Sequence, residues 1–177
     1  MRTPEELAEG IRILQRTPAV LQAWLGGLPE HIVRSNEGPE TWSAYDVIGH
    51  LIHGEHTDWI PRMQIILEYG QNRPFVPFDR FAQFTASHGK SLEDLLREFS
   101  RLRAANMREL QMIAFTPEAL ARKGRHPELG TVTLGELFAA WVVHDLTHIH
   151  QIARVMAKQF EVQIGPWVKY MGVLSRG

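Results

Sequence analysis

Three histidines crowd the stretch WVVHDLTHIHQI, residues 141 to 152, whose remaining residues read as a buried helix. At ~100° per residue, His148 lies about 40° around the helix axis from His144 and one turn further along, so both imidazoles reach one point in space. The pair is a plausible chelate for a divalent ion. His150 lies about 120° from His144 and is read as a bystander. Gln151 points within about 20° of His144 and is expected to line the same cavity. A chelating pair needs completion, and HLIHGEHTDW, residues 50 to 59, offers His50, His53, His56, Glu55 and Asp58. His50 stands among Val47, Ile48 and Leu51 on the apolar side of its helix, so it is the preferred third ligand. Choosing His53 instead would rotate that helix by roughly 60° and bury a different stripe.

Neutral imidazoles accept zinc, nickel, iron, cobalt or copper, and three of them leave positions open for water or substrate. An open site suggests catalysis: lowering the pKa of a bound water, polarising a carbonyl, or holding a thiolate. Zinc or nickel is expected first, with iron as a further option. Thr57, about 20° from His50 and two turns along, is expected to line the pocket. Glu55 reads as a solvated or interhelical partner, Asp145 as a structural group, and Asp58 with Arg62 as an ordinary helical ion pair. Trp42, Trp59 and Trp141 read as bundle core or interface.

The elements that must position these groups are helical. A first helix is expected over residues 4 to 25, with Thr3 as N-cap, Pro4 at its first position, and Gly26 and Gly27 ending it. A second should run from Ser43 to Tyr69 with a kink at Pro61. Residues 70 to 90 read as a long connection packed over the bundle. Ser91 and Asp94 form a capping box opening a third helix to about Ile113, and a short turn of helix follows at 116 to 120. After the turn-rich GRHPELGTVT, Thr133 and Glu136 form another capping box for a fourth long helix over 134 to 158. The tail from Val162 to Leu174 is expected to add a short helix, with Trp167 and Tyr170 capping the bundle or meeting a second subunit. The pattern is that of an all-α four-helix bundle with long crossover connections.

Composition narrows the chemistry. The 177 residues fit one domain. With 19 basic and 20 acidic residues and a net charge of −1, nucleic acid and anionic membranes are not expected partners. The chain has no cysteine, which excludes disulfides, iron-sulfur clusters and thiolate zinc sites. No apolar run approaches the ~18 residues of a membrane span, and a cytoplasmic protein is expected.

The segments TWSAYDVIGHLIHGEHTDWIPRMQIILE and GTVTLGELFAAWVVHDLTHIHQIARVM, with the marks WS, HL and HDxxHxxQ, resemble the DinB-like superfamily, also described as YfiT-like metalloenzymes. The resemblance runs over nearly the whole chain in the order and spacing of helices. It implies a bundle of nonstandard helix order, a homodimer, and a divalent metal held by His50, His144 and His148. It extends to bacillithiol S-transferases and mycothiol-dependent maleylpyruvate isomerases. A hydrolase or thiol-dependent S-transferase acting on a small molecule, with a low-molecular-weight thiol as one candidate partner, is therefore implied. No motif in the chain matches a thiol cofactor.

Overall fold

The computed structural model describes residues 4–174, of which Thr3, the expected first N-cap, is not one. Helix accounts for 69% of the structure. The long helices are α1 (Pro4–Leu25), α3 (Ala44–Thr57) with its continuation α4 (Trp59–Tyr69), α6 (Leu92–Gln111) and α8 (Leu134–Lys158). Short helices α2 (Glu30–Arg34), α5 (Ala82–Ala86) and α7 (Pro117–Leu120) fill the connections. The three expected capping residues close their boxes: Ser43 with Asp46, Ser91 with Asp94, and Thr133 with Glu136. Each satisfies amide donors that the first turn would otherwise leave orphaned.

Around the bundle the helices follow the order α1, α6, α3, α8, each packed on the next and α8 closing on α1. The successive long helices α1 and α3 therefore stand across a diagonal, and crossover connections are required. Among the described residues no helix is long and apolar enough to cross a membrane.

Two expectations needed correction, and short elements appear in the connections. The helix expected from Ser43 to Tyr69 is broken at Asp58 (φ −107°, ψ −70°), three residues before the expected kink at Pro61. The cause is still Pro61, which offers no N–H to the carbonyl of Thr57 and crowds it sterically, so the disruption falls a turn upstream of the ring. The turn-rich segment after α7 forms a hairpin, β1 (Lys123–His126) with β2 (Gly130–Thr133), paired Lys123 to Thr133 through His126 to Gly130. Its strands are too short for alternation to be legible. The connection over 70 to 90 packs on the bundle as expected, through α5 against α3, and carries a 3-10 turn, Gly70–Asn72; the tail forms the expected short helix, of 3-10 type, at Gly165–Tyr170, followed by a turn at Gly172–Leu174. The short α2 was not expected, because five residues carry no period.

The apolar interior is divided. One cluster gathers Leu21, Leu25, Ile48, Ile52, Leu95 and Phe99, and the other Leu14, Met63, Leu110, Phe138 and Trp141. On α3, α6 and α8 the boundary between them falls where polar side chains enter, after Ile52, Leu102 and Val142 respectively.

At that level Arg103, 1% exposed, spends all five of its N–H donors. Its Nε and Nη2 donate to Glu55 Oε1 at 3.1 and 2.8 Å, its Nη1 and Nη2 donate to the Asp145 carboxylate at 2.6 and 2.9 Å, and Nη1 donates to the Leu14 carbonyl at 2.7 Å. Pro18 explains the last bond: lacking an N–H, it leaves the carbonyl four residues earlier without its helical donor. Arg103 thereby joins α1, α3, α6 and α8 through one side chain. Asn106 donates to the Glu55 carbonyl at 2.8 Å and so caps the frayed end of α3.

Candidate metal centre

Above this ionic layer α3 supplies His50 and α8 supplies His144 and His148. The Nε2 atoms of His50 and His148 stand 3.1 and 3.0 Å from His144 Nε2. Ligand atoms from all three lie within 4.8 Å of one another, and the group could hold a metal ion. Nitrogens about 3 Å apart suit a common cation at bonds of ~2.0 to 2.1 Å. His148 carries the tautomer such a role needs: its Nδ1–H donates to Gln151 Oε1 at 2.8 Å, leaving the Nε2 lone pair aimed inward. The Nδ1 atoms of His50 and His144 are buried without hydrogen-bond partners among the described residues.

Burial keeps the imidazoles neutral, as metal ligation requires. Desolvation, followed by the charges of His148, His53 and Arg80, lowers the pKa of His50 to about 3. Desolvation together with His148, His50 and Arg103 lowers that of His144 to about 2. His148 is lowered by desolvation as well, and its bond to Gln151 and the Asp145 charge pull against that shift.

Aromatic rings hold the three in place. Trp42 lies 4.8 Å from the His50 ring and stacks at 16° over His148, Phe78 meets His50 edge-on at 5.4 Å, and Trp59 meets His144 at 4.9 Å. Trp59 in turn stacks at 7° on the fully buried Trp141. The expected core role fits Trp59 and Trp141, whereas Trp42 is a wall of the site.

Of the other expected residues, Gln151 faces the centre through His148. Thr57 does not: it is exposed, does not line the cavity, and its hydroxyl donates to the His53 carbonyl at 2.8 Å. The helix ends at Thr57, and the break turns Asp58 inward in its place. His53 is half-buried against Phe78 and is not part of the trio. His150, read as a bystander, lies outside the trio and lines the outer cavity wall. Glu55 and Asp145 are buried partners of Arg103, and Asp58 and Arg62 form a buried pair, Arg62 Nε lying 2.5 Å from Asp58 Oδ1, rather than a surface one. Desolvation raises Asp58 to about 6 against the opposing charge of Arg62.

Sequence reasoning missed Arg103. Its signal was present, since Leu96, Phe99, Arg103, Met107 and Leu110 recur at helical spacing and put a charge on the apolar stripe of α6. It also missed Phe78 and Arg80, which come from the connection read as packed over the bundle without a period of its own. A cavity of about 800 Å³ opens over the histidines, between Trp42, Phe78, Arg80, His126, Gln151 and Arg154.

This arrangement of a helical bundle with histidines converging from two helices places the chain among the DinB-type proteins: a family model for the DinB superfamily matches residues 13–152, and the chain belongs to that superfamily. Among solved structures it is similar to YfiT from Bacillus subtilis, described as a probable metal-dependent hydrolase with an unusual four-helix bundle topology. The two are 19% identical with a TM-score of 0.71, over 92% of this chain and 90% of that one, a likeness of fold. No functionally curated protein matches the chain by sequence.

Proposed function

We propose that the chain is a divalent-metal-dependent enzyme acting on a small molecule, with His50, His144 and His148 as the metal ligands. The observation that carries the proposal is the approach of three neutral imidazole nitrogens, from residues 94 apart in the chain, to about 3 Å. Such a donor set leaves coordination positions free on the cavity side, and the bound ion would supply Lewis acidity and an acidified water. Within the protein, the bond from His148 to Gln151 holds one ligand's tautomer. Trp42, Trp59 and Phe78 restrict ring rotation and water at the inner wall. Arg103 fixes α3 relative to α8, on which the ligands sit.

Hydrolysis is the favoured reaction, in keeping with the description of YfiT. Transfer of a low-molecular-weight thiol is the second, and zinc and nickel are the first metals to load, with iron next. The test is a panel of ester, amide and phosphoester substrates, and of thiols paired with electrophiles, assayed with protein loaded with each metal. The reading expects turnover in at least one class that disappears in His144→Ala and on chelation. Turnover undiminished in His144→Ala contradicts catalysis at the proposed metal site, and none across the panel with stoichiometric metal contradicts an enzymatic role.

A further inference from the structure

The charged side chains over the histidines are not equivalent. Arg154 is paired with Glu37 at 2.6 Å and Arg62 with Asp58 at 2.5 Å, so both cations are neutralised within the wall. Arg80 also lines the cavity, and its charge reaches His50, yet it makes no ion pair or hydrogen bond among the described residues. It is held on the short connection between Phe78 and α5, and Phe78 packs edge-on against His50. Arg80 is exposed at the rim, as are the acids Glu40 and Glu128, so solvent and salt screen all three and neither acid pairs with it among the described residues. A guanidinium without a partner at the rim of the cavity, above three uncharged ligands, is a ready receptor for a carboxylate.

We infer that the cavity takes a small molecule bearing an anionic group, a carboxylate in the first instance, which Arg80 receives while the other end of the molecule lies at the histidines. The inference rests on the metal-enzyme reading above and deepens it by naming the substrate class. Arg80 is thus a specificity residue: it selects what approaches the centre and takes no part in holding the metal. Trp42 and Phe78 give the intervening part of the molecule an apolar wall.

Two probes that differ only in the charge of the far end separate this role from simple metal affinity. Succinic acid monohydroxamate and butanohydroxamate would be titrated calorimetrically into zinc-loaded wild type, Arg80→Met and Arg80→Lys, with zinc content measured for each. A charge-assisted hydrogen bond corresponds to about a tenfold preference for the carboxylated probe in wild type. Arg80→Met should lose that preference while keeping full zinc content and its affinity for butanohydroxamate, and Arg80→Lys should keep part of it. Equal affinities in wild type, or a preference that survives in Arg80→Met, overturns the inference. Failure to take up zinc would instead strike the metal reading. The inference is then decided by titrating succinate into the metal-free proteins and following amide chemical shifts: shifts around residues 78 to 82 in wild type but not in Arg80→Met support it, and identical responses overturn it.

Discussion

Replacing Arg103 with Met keeps approximate volume and removes the cation that, among the described residues, pairs with Glu55 and Asp145, which are 3% and 0% exposed. Breaking a buried ion pair from one side costs ~3 to 5 kcal/mol, because the remaining charge stays desolvated. Here the variant strands two carboxylates and also frees the Leu14 carbonyl that Pro18 leaves without a helical donor, a group whose loss of partner costs ~1 to 3 kcal/mol. The terms share one side chain and do not add fully, so about 4 to 6 kcal/mol is expected, a large part of the ~5 to 15 kcal/mol that stabilises a typical domain. Urea unfolding followed by far-ultraviolet circular dichroism measures it, with the slope checked for an unchanged two-state transition. Burial alone would depress the guanidinium pKa. The Asp145 and Glu55 charges and their hydrogen bonds outweigh it and raise that pKa, so the charge persists over the whole accessible pH range. Because Glu55 and Asp145 sit on the ligand-bearing helices, the surviving folded protein should also bind zinc ~10-fold or more weakly. Adding Glu55→Gln and Asp145→Asn to Arg103→Met removes the stranded charges and should restore several kcal/mol. A loss below ~1 kcal/mol in the single variant, with zinc affinity unchanged, would refute the reasoning.

Gly49, beside His50, faces α5: an added Cβ would overlap Ser87 Oγ and come within 3.2 Å of Gln83 Cβ, so Gly49→Ala should cost ~1 to 3 kcal/mol in urea unfolding, and a stabilised variant would show that α5 does not pack there. Gln151→Leu removes the acceptor that orients His148 and should weaken zinc binding ~10-fold with little change in apo stability, as read by competition with a chromogenic chelator; unchanged affinity would dismiss the role. In metal-free protein, His50 and His144 titrate far below their ordinary value of 6.5 (about 3 and about 2), so the unfolded chain binds more protons and stability falls as pH drops below 6.5. Asp58, raised from 3.8 to about 6, acts oppositely between those values and cancels about one histidine. His148, also lowered, adds to the loss, so at least roughly 1.4 kcal/mol per pH unit between pH 6 and 4 is expected from urea midpoints with chelator present, and a flat profile would mean that the imidazoles are solvated.

Much of the site was legible because helical geometry is rigid. The i, i+4 spacing of His144 and His148 settles their common direction, and the apolar neighbours of His50 settle which way it points. The capping boxes of Ser91 with Asp94 and Thr133 with Glu136 were equally readable, since each is a local exchange of hydrogen bonds, and Ser43 was readable as a helix start though not its reciprocal bond with Asp46. What escaped was non-local. The inward turn of Asp58 depends on a helix break that Pro61 imposes upstream, and Thr57 was assigned to the pocket as though the helix ran on. The partners of Arg103 come from three other helices, so the sequence showed only a charge out of place on an apolar stripe. Arg80 and Phe78 lie in a segment without a period, and their position over His50 is a property of packing alone.

The central claim is that residues 50, 144 and 148 hold one metal ion together. Protein purified without an affinity tag, stripped with chelator and dialysed against zinc, should carry about one equivalent by elemental analysis, and His50→Ala, His144→Ala and His148→Ala should each lower its affinity at least ~10-fold while remaining folded by circular dichroism. Less than ~0.1 equivalent in wild type, or full and equally tight zinc in the folded His50→Ala and His144→Ala variants, would contradict it.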